Sequence, residues 1–102
     1  MTTTDRLPGI SVVTPSFNQA RFIRQTIESV RTQQGVQVEH IVIDGGSDDG
    51  TLKILHQYSG ITLISEPVEG QADAINKGFR MSTGEILCWL NSDDFFHPDA
   101  LS

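Results

Sequence analysis

The stretch Glu85 to Phe96, EILCWLNSDDFF, joins a short apolar run to a pair of adjacent acids, and the reading of the chain starts there. Ile86, Leu87, Cys88, Trp89 and Leu90 are apolar without a break. Such a run suits a strand buried on both faces, although a buried helix segment shows the same periodicity. Asn91, Ser92, Asp93 and Asp94 then form a polar tip. Two neighbouring carboxylates at the carboxyl end of a strand repel each other, and a divalent cation with oxygen ligands relieves that repulsion. The same letters also spell a strand followed by a capped turn, because Asn, Ser and Asp are ordinary residues of turns and helix starts. On these residues alone both readings stand.

Upstream of this stretch, short β-branched segments alternate with amphipathic ones. Ile10 to Thr14 (ISVVT) reads as a first strand, stopped by Pro15. After the loop PSFNQ, the segment Ala20 to Gln33 carries Ile23, Ile27 and Val30 at helical spacing, and Gly35 terminates it. Val38 to Asp44 (VEHIVID) is a second strand, followed by GGSDDG, whose glycines and aspartates specify turns. Thr51 to Tyr58 is a short helix through Leu52, Leu55 and Tyr58, and Ile61 to Ser65 (ITLIS) is a third strand. Gln71 to Met81 places Ala72, Ile75 and Phe79 along one helical face, ahead of the fourth strand. Strand–helix alternation repeated in this way predicts βαβ units with right-handed crossovers, a Rossmann-like α/β fold with a mostly parallel sheet. In such sheets ligands collect outside the carboxyl ends of the strands, where the polar clusters fall.

The 102 residues suffice for one small domain, with Met1 to Gly9 as a loose polar tail and residues 10–102 as the folded unit. A hydrophobic content of 37% with 20% charged residues is that of a soluble globular chain. The formal net charge of −6 argues against a nucleic-acid partner, which a basic face would attract. Cys88 is the single cysteine, so no intramolecular disulfide forms, and it reads as a core thiol. No apolar run approaches the roughly 18 residues of a membrane span, and Met1 to Gly9 lacks the apolar centre of a secretory signal. The expected location is cytoplasmic.

Four familiar sites fail against this layout. TPSFNQ lacks the glycines of a dinucleotide turn, and no GxxxxGK[ST] occurs. A calcium loop opening at Asp44 would place Leu55 at its twelfth position, where a carboxylate belongs. SDDGT has Ser47 in place of the nucleophilic Asp of a DxDGT signature. What remains is a site with acids at the ends of two strands and little base to neutralise a phosphate. An anionic ligand there needs a cation beside Asp44, Asp93 and Asp94, a condition that a diphosphate bridged by Mn²⁺ or Mg²⁺ satisfies. His40, His56 and His97 read as structural or solvated, and Lys77 as solvated.

At this point four segments, in order, resemble the family-2 glycosyltransferases of the GT-A fold. They are ISVVTPSFNQARFIRQTIESV, IVIDGGSDDGT, GQADAINKGF and GEILCWLNSDD, the last similar to the strand with a DxD-type metal motif. The resemblance implies a sheet order of 3-2-1-4 and transfer of a sugar from a nucleotide diphosphate to an acceptor hydroxyl, with inversion and metal assistance. It implies that Thr14, Pro15 and Asn18 lie along the base and ribose, and that Asp44 accepts hydrogen bonds from them. Asp73 lies near the donor, Asp94 ligates Mn²⁺ or Mg²⁺, and Asp93 reaches the ribose or shares the metal. Asp48 and Asp49 are turn-makers and a helix cap. A UDP-sugar is the implied donor. Two departures stand out: Asn91 where the family often has Asp, and Ala74-Ile75-Asn76 where many members have Ala-Arg-Asn. The match covers a donor-binding half with the acceptor half absent, so no residue is assigned as general base. In the order 3-2-1-4 the ILCWL strand is an open apolar edge, and self-association through it is expected. The alternative reading is a non-catalytic nucleotide-binding or assembly module that needs a partner chain.

Overall fold

The computed structural model describes residues 9–33 and 37–92. Seven elements follow in order: β1 (Gly9–Ser16), α1 (Ile23–Arg31), β2 (Gln37–Asp44), α2 (Thr51–Leu55), β3 (Ile61–Ser65), α3 (Gln71–Met81) and β4 (Ile86–Trp89). The four strands form one parallel sheet in the order β3-β2-β1-β4, as expected. Gly35, Asp93, Asp94 and His97 lie outside the described residues.

The period-2 alternation of β1 and β2 assigns their side chains to two layers. Ile10 and Val12 of β1 pack with Val30 of α1, and Val42 of β2 packs with Ile23, Ile27 and Leu55, so α1 and α2 cover one face. Val13, Ile41 and Ile43 point the other way and pack with Ala74 of α3. The chain crosses from one edge of the sheet to the other between β3 and β4, and α3 lies on the opposite face for that reason.

Several boundaries differ from the sequence reading. Pro15 does not stop β1, which runs to Ser16 in register with Asp44. The carbonyl of Ser16 accepts the Gly45 N–H at 2.8 Å on the β2 side, while that of Val13 accepts the Leu90 N–H at 2.9 Å on the β4 side. Because successive residues alternate edges, Pro15 stands on the β4 edge without an N–H to donate. Its strand continues, and only the β1–β4 ladder ends there. Helix α1 is shorter than Ala20 to Gln33, with residues 20–22 forming turns ahead of it. Helix α2 ends at Leu55 rather than Tyr58, because the Gln57 and Tyr58 amides turn to carbonyls three residues back.

The face of α3 is also corrected. Its buried residues are Ala74 and Gly78; Phe79 is partly buried against the core as expected, whereas Ala72 is exposed. A Cβ at Gly78 would fall 2.3 Å from Val13 Cγ1, so the absence of a side chain is what lets the helix axis approach the sheet. At the amino ends of the strands, Glu39 ties the α3–β4 connection down. Its carboxylate accepts from the Ser11 hydroxyl (2.7 Å) and the Thr83 N–H (2.8 Å), and Ser11 Oγ accepts the Gly84 N–H (2.8 Å). The Thr83 N–H, then the Ser11 hydroxyl, hold the Glu39 carboxyl below its ordinary pKa.

Strand β4 is not buried on both faces. Ile86, Leu87 and Trp89 are 52%, 47% and 47% exposed, while Cys88 is half-buried and Leu90 buried. Burial pushes the Cys88 thiol pKa up, which keeps it protonated. Among the described residues β1 pairs β4 on one side only, which leaves the other edge and much of both faces open.

Candidate functional site

The end of the β1–β4 ladder at Pro15 has a structural consequence. Beyond it the two strand tips enclose a cavity of about 570 Å³, with Pro15, Ser16 and Phe17 on one wall, Asn91 and Ser92 on another, and Val68, Gly70, Gln71 and Ala74 closing the α3 side. This is the point where the strand order reverses, the place at which open α/β sheets bind ligands. A second cavity of about 590 Å³, lined by Arg24, Arg31, His40 and Tyr58 among others, opens near the starts of β2 and β3, away from the carboxyl ends.

The walls are fixed by polar contacts. The Thr26 hydroxyl on α1 donates to the Ser92 carbonyl at 3.0 Å, anchoring the tip of β4. The Gln71 amide donates to Asn91 Oδ1 across the cavity mouth. Asp73 accepts the Glu69 N–H at 2.9 Å, and Lys77 pairs with Glu66 at 2.8 Å, so the β3–α3 loop is held from the helix that follows it. The Glu66 carboxylate beside it keeps the Lys77 ammonium pKa above its ordinary value.

The β1–α1 loop is joined to the β2–α2 loop by two parallel relays. In one, the Asn18 N–H donates to Ser47 Oγ (2.8 Å) and the Ser47 hydroxyl donates to Asp44 Oδ1 (2.6 Å). In the other, the Gln19 N–H donates to Thr51 Oγ1 (2.9 Å), whose hydroxyl donates to Asp49. Asp49 also accepts the Ala20 N–H at 3.1 Å, and Asn18 Oδ1 accepts the Asp48 N–H at 2.9 Å. The Thr51 hydroxyl, followed by the Ala20 and Thr51 amides, keeps the Asp49 carboxyl below its ordinary pKa. Asn18 carries a φ of +53°, which Asn tolerates better than most side chains.

Of the residues expected to meet a nucleotide, Pro15 lines the cavity, while Thr14, Asn18, Asp44 and Asp73 are not among its lining residues. Thr14 is fully buried under α1, and its hydroxyl is 2.7 Å from His40 Nε2. Asp44 is fully buried, and its carboxylate accepts the N–H groups of Gly46 and Ser47 at 3.0 and 2.8 Å in addition to the Ser47 hydroxyl. Among the described residues no cluster of three or more His, Cys, Asp or Glu is placed to hold a metal; the acids expected to do so, Asp93 and Asp94, lie outside them.

Two lining residues were not singled out in the sequence. Phe17 is 57% exposed, with its ring beside Gly45: a Cβ there would meet Val68 at 3.2 Å and Phe17 at 3.5 Å. The available signal was an aromatic set among turn-forming residues at the carboxyl end of the first strand, where no core exists to receive it. Ser16, 5% exposed, has a hydroxyl oxygen that is buried without a hydrogen-bond partner among the described residues. No signal in the sequence marks that oxygen, because its isolation arises from packing.

An alternating α/β chain with a parallel 3-2-1-4 sheet, and a cavity at its reversal point, has the GT-A-like architecture. Residues 11–102 match Glycosyl transferase family 2, and the chain belongs to that family. It is 39% identical over 99 residues to an uncharacterized glycosyltransferase of Mycobacterium tuberculosis, covering 93% of this chain and 38% of that protein. It also superposes on a mannosyltransferase from Pyrobaculum calidifontis in complex with GDP-Man and Mn²⁺. That match has a TM-score of 0.83 and 26% identity, covering 93% of this chain and 30% of the other. The glucosyl-3-phosphoglycerate synthase of Mycobacterium tuberculosis, solved with Mn²⁺, UDP and glucosyl-3-phosphoglycerate, matches with a TM-score of 0.69 and 29% identity. This second match covers 86% of this chain and 36% of that one. The chain thus spans about two fifths or less of each of these proteins.

Proposed function

We propose that this chain is the donor-binding part of a glycosyltransferase that takes its sugar from a nucleotide diphosphate, most simply a UDP-sugar, and transfers it to an acceptor hydroxyl with inversion. The observation that supports this most is the cavity at the β1–β4 divergence, with the exposed Phe17 on its wall. An exposed ring beside a cavity offers a stacking face to a base.

In this reading Pro15 and Phe17 touch the nucleoside. Thr14 sets the path of β1, and Asn18, Asp44 and Asp73 fix the loops around the ligand, Asp44 with its remaining acceptor capacity toward the base or ribose. Asp94, with Asp93, would hold Mn²⁺ or Mg²⁺; Mn²⁺ is the ion in the complexes of two similar proteins. When bound, such an ion neutralises charge on the departing diphosphate. The acceptor hydroxyl then attacks the anomeric carbon directly and gives its proton to a general base that this chain does not identify.

Calorimetric titration of UDP, with and without Mn²⁺, tests the donor site. Binding is expected to require the metal and to weaken in Asp94→Ala by more than the roughly 10–100-fold that loss of an outer-shell partner costs. A folded chain that binds UDP in neither condition would sink the reading.

The exposed apolar edge of β4 supports a second reading, in which the chain is a module completed by another strand. Unpaired strand edges recruit further strands, and a charge on the edge blocks this. Light scattering at high concentration is expected to show self-association that Trp89→Lys abolishes. A monomer for the unsubstituted chain would rule this edge out as a self-association surface.

A further inference from the structure

We infer that Asp49 and Asn18 are positioning residues for the base half of the donor site, acting through Phe17; the inference rests on the donor-site reading above. The amides of residues 18, 19 and 20 follow Phe17 directly and precede α1, so no helix carbonyl receives them. Each is taken instead by the β2–α2 segment: Asn18 by Ser47 Oγ, Gln19 by Thr51 Oγ1 and Ala20 by Asp49 Oδ2. Return bonding comes from the Asp48 N–H to Asn18 Oδ1. Three successive amides held from one side leave the preceding residue a single backbone path. That path carries the Phe17 ring over Gly45, facing Val68.

Asp49 is the keystone of this arrangement, because its two oxygens serve different loops. Oδ1 accepts the Thr51 N–H at 3.0 Å and the Thr51 hydroxyl, while Oδ2 reaches across to Ala20. The hydroxyl bond also orients Thr51 Oγ1 so that a lone pair meets Gln19. Asp49 itself is exposed and does not line the cavity. Its neighbour Asp48 has the same charge, yet its carboxylate makes no hydrogen bond within the described residues, which makes it an internal control.

The clamp acts on the nucleoside end of a ligand and leaves the diphosphate end alone. The test therefore compares UDP with inorganic pyrophosphate, both with Mn²⁺, on the unsubstituted chain, Asp49→Ala, Asn18→Gly and Asp48→Ala. Asn18→Gly accommodates the positive φ while removing the side-chain acceptor and loosening the backbone, so both changes act against the clamp. Asp49→Ala and Asn18→Gly are expected to weaken UDP at least tenfold while pyrophosphate changes less than twofold, and Asp48→Ala to change neither. Equal losses for both ligands, or no loss for UDP, would overturn the inference. Amide hydrogen exchange without ligand keeps the clamp testable by itself. Residues 18–20 should exchange at least tenfold faster in Asp49→Ala, with β1 and β2 amides unchanged. If the unsubstituted chain binds no UDP, the donor reading fails. The clamp fails separately if those three amides exchange alike in both chains.

Discussion

Replacing Gly78 with alanine is expected to destabilise the domain by about 3 kcal/mol, the upper range for inserting a methyl group into a packed interior. The added Cβ would lie 2.3, 2.7 and 3.0 Å from Cγ1, Cγ2 and Cβ of Val13. Val13 cannot swing aside. It is fully buried on the central strand, paired to Ile41 on one side and Trp89 on the other, and its β-branched side chain has few rotamers. The whole of α3 must then lift from the sheet. Alanine is the better helix former by about 1 kcal/mol, which offsets only part of the cost. Gly78 does not have a positive φ, so the effect is steric rather than conformational. Urea unfolding measures it, and combining Gly78→Ala with Val13→Ala should recover part of the loss as a coupling energy. Equal stability of Gly78→Ala and the unsubstituted chain would show that α3 does not pack as closely as described.

The second large effect is an acid instability centred on His40. Its imidazole is buried, with Nε2 against the Thr14 hydroxyl and Nδ1 without a partner among the described residues. Burial lowers its pKa from 6.5 to about 4 by disfavouring the charged ring. The unfolded chain therefore takes up the proton first as the pH falls. The contribution of His40 is complete above pH 6.5 and is lost progressively between 6.5 and about 4, a difference of about 3 kcal/mol. Glu39 adds a separate loss at lower pH. Its folded-state pKa lies below 4.5, so its stabilisation fades as the pH falls through that lower value. Denaturant unfolding at a series of pH values should show the first loss in the unsubstituted chain and a flat profile between pH 6.5 and 4.5 in His40→Gln. The same slope in both proteins would assign the instability to another group.

Much of the fold was legible because the periodicities were undiluted. ITLIS and QADAINKGFRM appear as β3 and α3 within the expected limits, and the alternation of elements led to a parallel sheet. The faces of α3 were misread for a physical reason. Hydrophobic periodicity favours the larger apolar residues, but Ala74 and Gly78 lie innermost because the closest approach selects the smallest side chains. Apolar content misled in the opposite direction at ILCWL, where an unbroken run reads as doubly buried whichever neighbours the sheet supplies. The site shows the same division. Its location at the carboxyl ends of the strands follows from topology, and the acids there are visible in the sequence. Their work is another matter: Asp44 and Asp49 differ little as letters in IDGGSDDG, yet each terminates its own hydrogen-bond relay.

By itself the sequence determined the order and type of the elements, the family through its four motifs, and the positions of the carboxylates. These depend on neighbours along the chain, through periodicity, turn chemistry and spacing. Only the tertiary structure decided that Pro15 opens a cavity beside β4, that Thr14 turns inward to His40, and that Phe17 is held at the rim by a loop about 30 residues away, the separation of Asn18 from Asp48. Those features arise where segments distant in sequence meet, and no local pattern encodes which hydroxyl finds a partner and which is left without one.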